Sequence, residues 1–178
     1  GNLTAGMIAK RLGLPVDRYI AATNVNDTVP RYWQSGQWQP NTTIATLSNA
    51  MDVSQPNNWP RIEAMIEQGH VDKSDISGAT VDEDYTQVAM RQLAQLGYVS
   101  EPHAAIAYKA LVRKMEEGQT GIFLGTAHPA KFRETVENVL GQPISLPQPL
   151  ADCAGKEGLS AELPCDYQAL KTHLFALL

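Results

Sequence analysis

The first 24 residues of the chain, GNLTAGMIAKRLGLPVDRYIAATN, predict the class of the fold. Met7, Ile8 and Leu12 recur at helical spacing, and Gly13 follows them as a helix terminator. A Leu-Pro turn then leads into residues 18–23, an apolar stretch that is typical of a short buried strand. Because a helix, a tight turn and an apolar strand form half of a βαβ unit, this stretch predicts an α/β fold with a short, mainly parallel sheet.

The rest of the chain predicts a helix-rich, partial three-layer αβα domain. A helix whose apolar stripe contains Tyr85, Val88, Ala89, Leu93 and Leu96 is the clearest element. Further helices are predicted at 28–36, 59–69, 103–115, 129–140 and 166–178, a second buried strand at 121–125, and connections without regular structure at 40–60 and 70–80.

Composition excludes several classes of protein. The 178 residues are 43% hydrophobic, which is enough for the core of one ordinary domain. The net charge of −5, without a basic block, argues against nucleic-acid binding. No apolar run approaches the roughly 20 residues that cross a bilayer, so no membrane contact is expected. Two cysteines, Cys153 and Cys165, make neither a disulfide framework nor a zinc site, and we expect a cytoplasmic protein without a metal.

Three polar clusters follow predicted strands or interrupt apolar segments, where ligands bind in open α/β sheets. They are Asn24–Asp27, the loop 48–58, and Thr126–His128. Each has a structural alternative, because Asn and Asp after a strand commonly cap the next helix, and His128 beside Pro129 can simply donate to a backbone carbonyl. The residues alone therefore predict an α/β domain with ligand-binding loops at the strand ends.

Four longer strings carry more specific information, in this order: ATNVNDTVPR (22–31), ATLSNAMDVSQPNNWPR (45–61), LGYVSEPHAAIAY (96–108) and FLGTAHPAKF (123–132). At similar separations, they closely resemble the carboxy-terminal part of bacterial threonine synthase. The resemblance covers most of the chain and is weakest at 67–80 and after 141.

The resemblance implies a fold-type II enzyme of the tryptophan-synthase-β-like class, here incomplete. Such an enzyme is a lyase that uses pyridoxal 5′-phosphate to convert O-phospho-L-homoserine and water to L-threonine and phosphate, in threonine biosynthesis. It also implies that residues 1–142 are half of the cofactor domain and 143–178 a carboxy-terminal extension.

The resemblance also implies roles for individual residues of the family motifs. Gly1 and Asn2 resemble the end of a turn whose N–H groups hold the cofactor phosphate, Thr126 resembles the hydroxyl that meets the pyridine nitrogen, and Glu101 resembles a corner beside the ring. The residues that fall on the substrate side are Asn24, Asn26, Asp27, Ser48, Asn49, Asp52 and His128.

The Schiff-base lysine of the family lies in a Phe-Lys-Asp context that this chain does not contain, and none of its seven lysines is expected in a cofactor pocket. We therefore predict that the isolated chain has no catalytic residue, does not bind the cofactor and is inactive. Because the chain opens on Gly1 without a methionine, we expect a cut inside a longer protein or a residual glycine of a tag.

The expected partner is the amino-terminal half of the same enzyme, and the small-molecule substrate is O-phospho-L-homoserine. Without that half, an exposed apolar surface near 18–23 and 121–126 would favour self-association. The alternative hypothesis is a free-standing, non-enzymatic binding or interaction module that keeps half of the fold.

Overall fold

The computed structural model describes residues 1–177, which divide into two compact units, Gly1–Ile144 and the residues from Ser145 onward. The elements of the first unit, in chain order, are α1 (Asn2–Arg11), β1 (Tyr19–Thr23), α2 (Thr28–Ser35), α3 (Pro60–Glu67), β2 (Ile76–Thr80), α4 (Glu83–Gln95), α5 (Pro102–Lys114) and α6 (Arg133–Leu140). Short 3₁₀ turns lie at Asn49–Met51, Lys73–Asp75 and Pro129–Phe132. The second unit contains α7 (Gln148–Ala154) and α8 (Tyr167–Ala176).

The two strands form a short parallel sheet. The register runs from Tyr19 opposite Ile76 to Thr23 opposite Thr80. The chain crosses from β1 to β2 through α2 and α3, because parallel strands cannot be joined by a hairpin. A Cβ atom on Gly78 would lie 2.5 Å from the Pro30 Cα atom, so the close approach of α2 to β2 requires glycine there. The predicted helix-rich α/β fold with a short parallel sheet is confirmed.

Two predictions about strands are wrong. Residues 121–125 are not a strand, and Ile122 is 78% exposed. No strand lies beside them within residues 1–177, and an apolar run becomes a strand only where a neighbour satisfies its backbone hydrogen bonds. Residues 76–80, expected in a surface connection, form β2. Ile76 is the one large apolar side chain of this strand, so its composition does not indicate a strand, and the pairing with β1 creates it.

The core consists of clusters on the two sides of the sheet and between helices. One cluster joins α1, the strands and α3 through Met7, Tyr19, Trp59, Ile62, Val71 and Ile76. A second lies between α4, α5 and α6 and contains Ala89, Met90, Leu93, Ala105, Val136 and Val139. In the third, Ile106 and Ala110 of α5 pack with Val81 against Ile20 and Ala22 of β1.

The buried face of α4 differs from the predicted stripe. Ala89 and Leu93 are buried as expected, but Tyr85, Val88 and Leu96 are exposed. Thr86 and Met90 are buried instead, on the face that contacts α5 and α6. Helical periodicity indicates that a helix is amphipathic, whereas the positions of its neighbours decide which flank is covered.

In the second unit, Cys153 and Cys165 are both exposed and free. Across residues 1–177, no helix combines the length and the apolar character needed to cross a bilayer.

Candidate functional site

A large open cleft in the first unit has a volume of about 1590 Å³. Its walls include the start of α1, the whole of β1, one face of α5 and the segment 118–127. The surface near 18–23 and 121–126 that was expected to be exposed is therefore part of this cleft wall.

Four of the predicted site residues line the cleft, namely Gly1, Asn2, Asn26 and Thr126. The first two lie at the start of α1, Asn26 follows β1, and the Thr126 side chain is exposed. The predicted residues outside the lining are Asn24, Asp27, Ser48, Asn49, Asp52, Glu101 and His128. Their predicted roles toward a ligand stay predictions.

The start of α1 offers backbone donors to the cleft. Gly1 occupies the N-cap position, and no side chain caps the helix. The first N–H groups of a helix have no partner within the helix, and the helix dipole makes this end positive. Residues 1–4 line the cleft, so this end of α1 can take an anionic group.

Asn24, Asn26 and Asp52 belong to a hydrogen-bonded network that fixes the loop after α2 against the end of β1. Asp52 accepts hydrogen bonds from Asn24 Nδ2 at 2.9 Å, Asn26 Nδ2 at 3.2 Å, and the backbone N and Oγ1 of Thr46, both at 2.8 Å. Ser48 Oγ accepts from Asn24 Nδ2 at 3.0 Å. These side chains hold the polypeptide in place, and Asn26 is the member that also lines the cleft.

Three predicted residues, Asp27, Asn49 and His128, lie outside this hydrogen-bonded network. Asp27 Oδ1 accepts from Arg31 Nε at 2.7 Å, one turn along α2. Asn49 is exposed at the start of a 3₁₀ turn. His128 is exposed, and its Nδ1 accepts from the backbone N–H of Ala130 at 3.1 Å.

Glu101 is 1% exposed and caps α5. Its carboxylate accepts from the backbone N–H groups of His103 and Ala104, both at 2.7 Å, and pairs with the His103 ring through Nδ1. Burial raises the pKa of Glu101, but the hydrogen bonds from His103 and Ala104 outweigh it and the pKa is lowered overall. The carboxylate is therefore ionised, and it is hydrogen-bonded to groups inside the protein.

His103 is a cleft residue that sequence reasoning missed. It lies in the first turn of α5, the helix whose Ile106 and Ala110 pack against Ile20 and Ala22 of β1. Thr23 Oγ1 and His103 Nε2 are both buried without a hydrogen-bond partner, and both residues line the cleft. The position of His103 directly after the Glu-Pro corner was the available signal.

Two lysines line the cleft, namely Lys114 and Lys131, and both are exposed. The sequence could not show this, because the helix and the turn that carry them meet only in the tertiary structure. That no lysine of this chain lies in a cofactor pocket stays a prediction. Lys10 pairs with Asp75 at 2.9 Å. Within residues 1–177, no group of acidic, His or Cys side chains could hold a metal ion.

A family model described as "Threonine synthase, C-terminal" matches residues 104–174. The threonine synthase of Serratia marcescens is 57% identical over 177 residues, which are 99% of this chain and 41% of that protein. The crystal structure of threonine synthase from Escherichia coli superposes with a TM-score of 0.91 at 55% identity, covering 99% of this chain and 41% of the other.

The chain corresponds to the carboxy-terminal part of a threonine synthase.

A more distant threonine synthase structure agrees with this assignment. The enzyme from Brucella melitensis, described as bound to PLP, has a TM-score of 0.84 at 27% identity and covers 97% of this chain. The chain spans about two fifths of the length of the threonine synthases that it matches. The family resemblance of the four sequence strings is confirmed.

Proposed function

We propose that the protein to which this chain belongs is a pyridoxal-phosphate-dependent lyase that converts O-phospho-L-homoserine and water to L-threonine and phosphate. The likeness to the E. coli enzyme over 99% of the chain, at a TM-score of 0.91, is the observation that carries the proposal. The grouping of Gly1, Asn2, Asn26 and Thr126 around one cleft supports it.

The residues of the cleft fit pyridoxal phosphate. The uncapped first turn of α1 offers N–H donors to a phosphate group, and Thr126 offers an exposed hydroxyl. Two buried polar atoms in cleft residues, Thr23 Oγ1 and His103 Nε2, lack a partner that a polar ligand could supply.

When bound, the cofactor withdraws electrons from the amino-acid substrate, so that protons can leave its carbon atoms. Gly1 and Asn2 would hold the cofactor phosphate, and Thr126 would bond the pyridine nitrogen. A neutral hydroxyl partner would leave this nitrogen unprotonated. The ring would then withdraw electrons less strongly than it would with a carboxylate partner. Asn26 would help to shape the substrate side of the cleft at the end of β1, while its side chain bonds the loop through the Ile44 backbone.

The isolated chain is expected to be inactive. Lys114 and Lys131 are the lysines that line the cleft, and both are exposed, in surroundings that do not activate an amine. The remaining part of the enzyme would supply the Schiff-base lysine and cover apolar cleft-wall residues such as Ile122.

The test compares the isolated chain with the full-length protein. The full-length protein should release phosphate from O-phospho-L-homoserine and show the absorbance band of a lysine-bound cofactor. The isolated chain, treated with pyridoxal phosphate and borohydride, should carry no stable adduct by mass spectrometry. A full-length protein that binds the cofactor but releases no phosphate would contradict the proposed activity, and an adduct on Lys114 or Lys131 would contradict the inactivity of the chain.

A further inference from the structure

His103 is held rigidly from one side and lacks a partner on the other. Its Nδ1 atom pairs with the buried carboxylate of Glu101, and its side chain is 15% exposed. The Phe132 ring packs on the imidazole with 4.9 Å between centroids. Nε2 has no hydrogen-bond partner, although leaving a buried polar atom unpaired destabilises a fold.

The charge of Glu101 determines what His103 can bind. The Nδ1 atom must carry a hydrogen to bond the carboxylate. Nε2 is then a donor in the protonated ring and an acceptor in the neutral ring. A phosphate monoester can meet either form, because its anionic oxygens accept a hydrogen bond and a protonated oxygen donates one.

The cleft that His103 lines also contains two lysines that can attract an anion. Lys131 lies next to Phe132 in the same 3₁₀ turn and lines the cleft, as does Lys114. Neither lysine has an acidic partner among the ion pairs of residues 1–177. The uncapped start of α1 contributes backbone donors to the same cleft.

We propose that His103 Nε2 binds a phosphate-monoester oxygen of the ligand in the cleft, with Glu101 as the positioning residue of the imidazole. This inference rests on the proposed function, in which cofactor and substrate are both phosphate monoesters. Because Nε2 has no accessible surface in the structure, the ligand must displace a covering side chain, and Phe132 is the ring packed on the imidazole.

The test uses the full-length protein and three substitutions. His103→Asn keeps a donor near the Nδ1 position for Glu101 and removes Nε2, whereas His103→Gln restores a donor near the Nε2 position. His70→Asn is the matched control, because His70 contacts Arg11 and does not line the cleft. Unfolding temperatures of all variants exclude loss of folding as the cause of an effect.

Calorimetric titrations distinguish the two sources of phosphate. In the first, pyridoxal and pyridoxal phosphate bind to cofactor-free protein; in the second, inorganic phosphate binds to cofactor-loaded protein. Loss of a hydrogen bond to a charged group should weaken phosphate binding about 10- to 100-fold in His103→Asn, in one of the titrations. The affected titration identifies the cofactor phosphate or the substrate phosphate as the ligand, pyridoxal affinity should not change, and His103→Gln should recover part of the loss.

Glu101→Gln tests the positioning role. In the titration that His103→Asn affects, it should weaken binding of the phosphate group, seen either as a changed ratio of pyridoxal to pyridoxal phosphate affinity or as a lower affinity for inorganic phosphate. General destabilisation would leave the affinity ratio unchanged, and if neither the ratio nor the inorganic phosphate affinity changes, the role of Glu101 is overturned. Wild-type affinity of His103→Asn in both titrations, or equal weakening of pyridoxal and pyridoxal phosphate, would overturn the inference on His103. If the wild-type protein turns over O-phospho-L-homoserine, such results overturn the inference on His103 and leave the proposed function intact. If the wild-type protein binds neither pyridoxal phosphate nor inorganic phosphate, the proposed function itself is contradicted.

Discussion

Asp52→Ala should release the loop that follows α2. The loop has little regular structure, and its backbone N–H groups are satisfied mainly by side chains. Ile44 N donates to Asn26 Oδ1 at 2.8 Å, Thr46 N to Asp52 Oδ2 at 2.8 Å, and Leu47 N to Glu83 Oε1 at 2.6 Å. Asp52 lies at the centre of this network, so its removal should affect the whole segment.

The magnitude follows from the partners that remain. Of the four donors to Asp52, Asn24 Nδ2 keeps Ser48 Oγ, Asn26 Nδ2 keeps the Ile44 carbonyl, and the Thr46 hydroxyl keeps Ser48 Oγ. The Thr46 N–H alone loses its acceptor. Because a hydrogen bond to a charged group contributes about 1.5–3 kcal/mol and most donors keep a partner, the loop should lose about 2–4 kcal/mol of local stability.

Hydrogen exchange of the full-length protein, followed by mass spectrometry, measures this loss directly. A loss of about 2–4 kcal/mol corresponds to exchange about 30- to 900-fold faster in peptides that cover 43–54, with little change in α4 and α5. Gln55→Ala is the control, because Gln55 is exposed and makes no side-chain hydrogen bond in the described structure. Unchanged exchange in 43–54 would refute the claim that Asp52 holds the loop.

Three further predictions concern acid stability, close packing and the exposed cleft wall. The lowered pKa of Glu101 means that its ionised form stabilises the fold above the ordinary value of 4.5 and that this contribution is lost as the pH falls through the lower folded value. Lowering the pH from about 6 to about 3 should therefore lower the unfolding temperature of the wild type more than that of Glu101→Gln. Parallel curves of unfolding temperature against pH would contradict this. Gly78→Ala should cost about 1–3 kcal/mol in thermal unfolding, because its Cβ would lie 2.5 Å from Pro30 Cα, whereas Gly155→Ala meets no atom within 4 Å and should be neutral. Ile122→Asp should reduce self-association of the isolated chain in sedimentation velocity without lowering its unfolding temperature, since Ile122 is 78% exposed; an oligomer that persists would place the contact elsewhere.

The strand predictions show where local pattern is sufficient. The apolar run at 18–23 became β1, and the similar run at 121–125 did not form a strand. The difference is the neighbour: β1 pairs with β2 over five residues, and no strand of residues 1–177 lies beside 121–125. β2 itself could not be found locally, because its small and polar residues form a strand only through that pairing.

The candidate site shows the same dependence on distant neighbours. Asn24 follows β1 as expected, and Asp52 lies in the loop after α2, yet their side chains bond each other at 2.9 Å, and neither lines the cleft. His103 had no prediction of its own. Its burial arises because α5 packs on β1 and Phe132 packs on the ring, contacts between segments far apart in the chain.

The sequence by itself determined the family, the α/β class and the positions of most helices. Four long strings specify the family, and helical periodicity with Gly and Pro at the ends specifies the helices, because these signals depend on residues close together in the chain. The tertiary structure alone decided which flank of α4 is buried, which extended segments pair, and which polar side chains face the cleft. Burial and hydrogen-bond partners are properties of neighbours brought together by folding, so no local pattern encodes them.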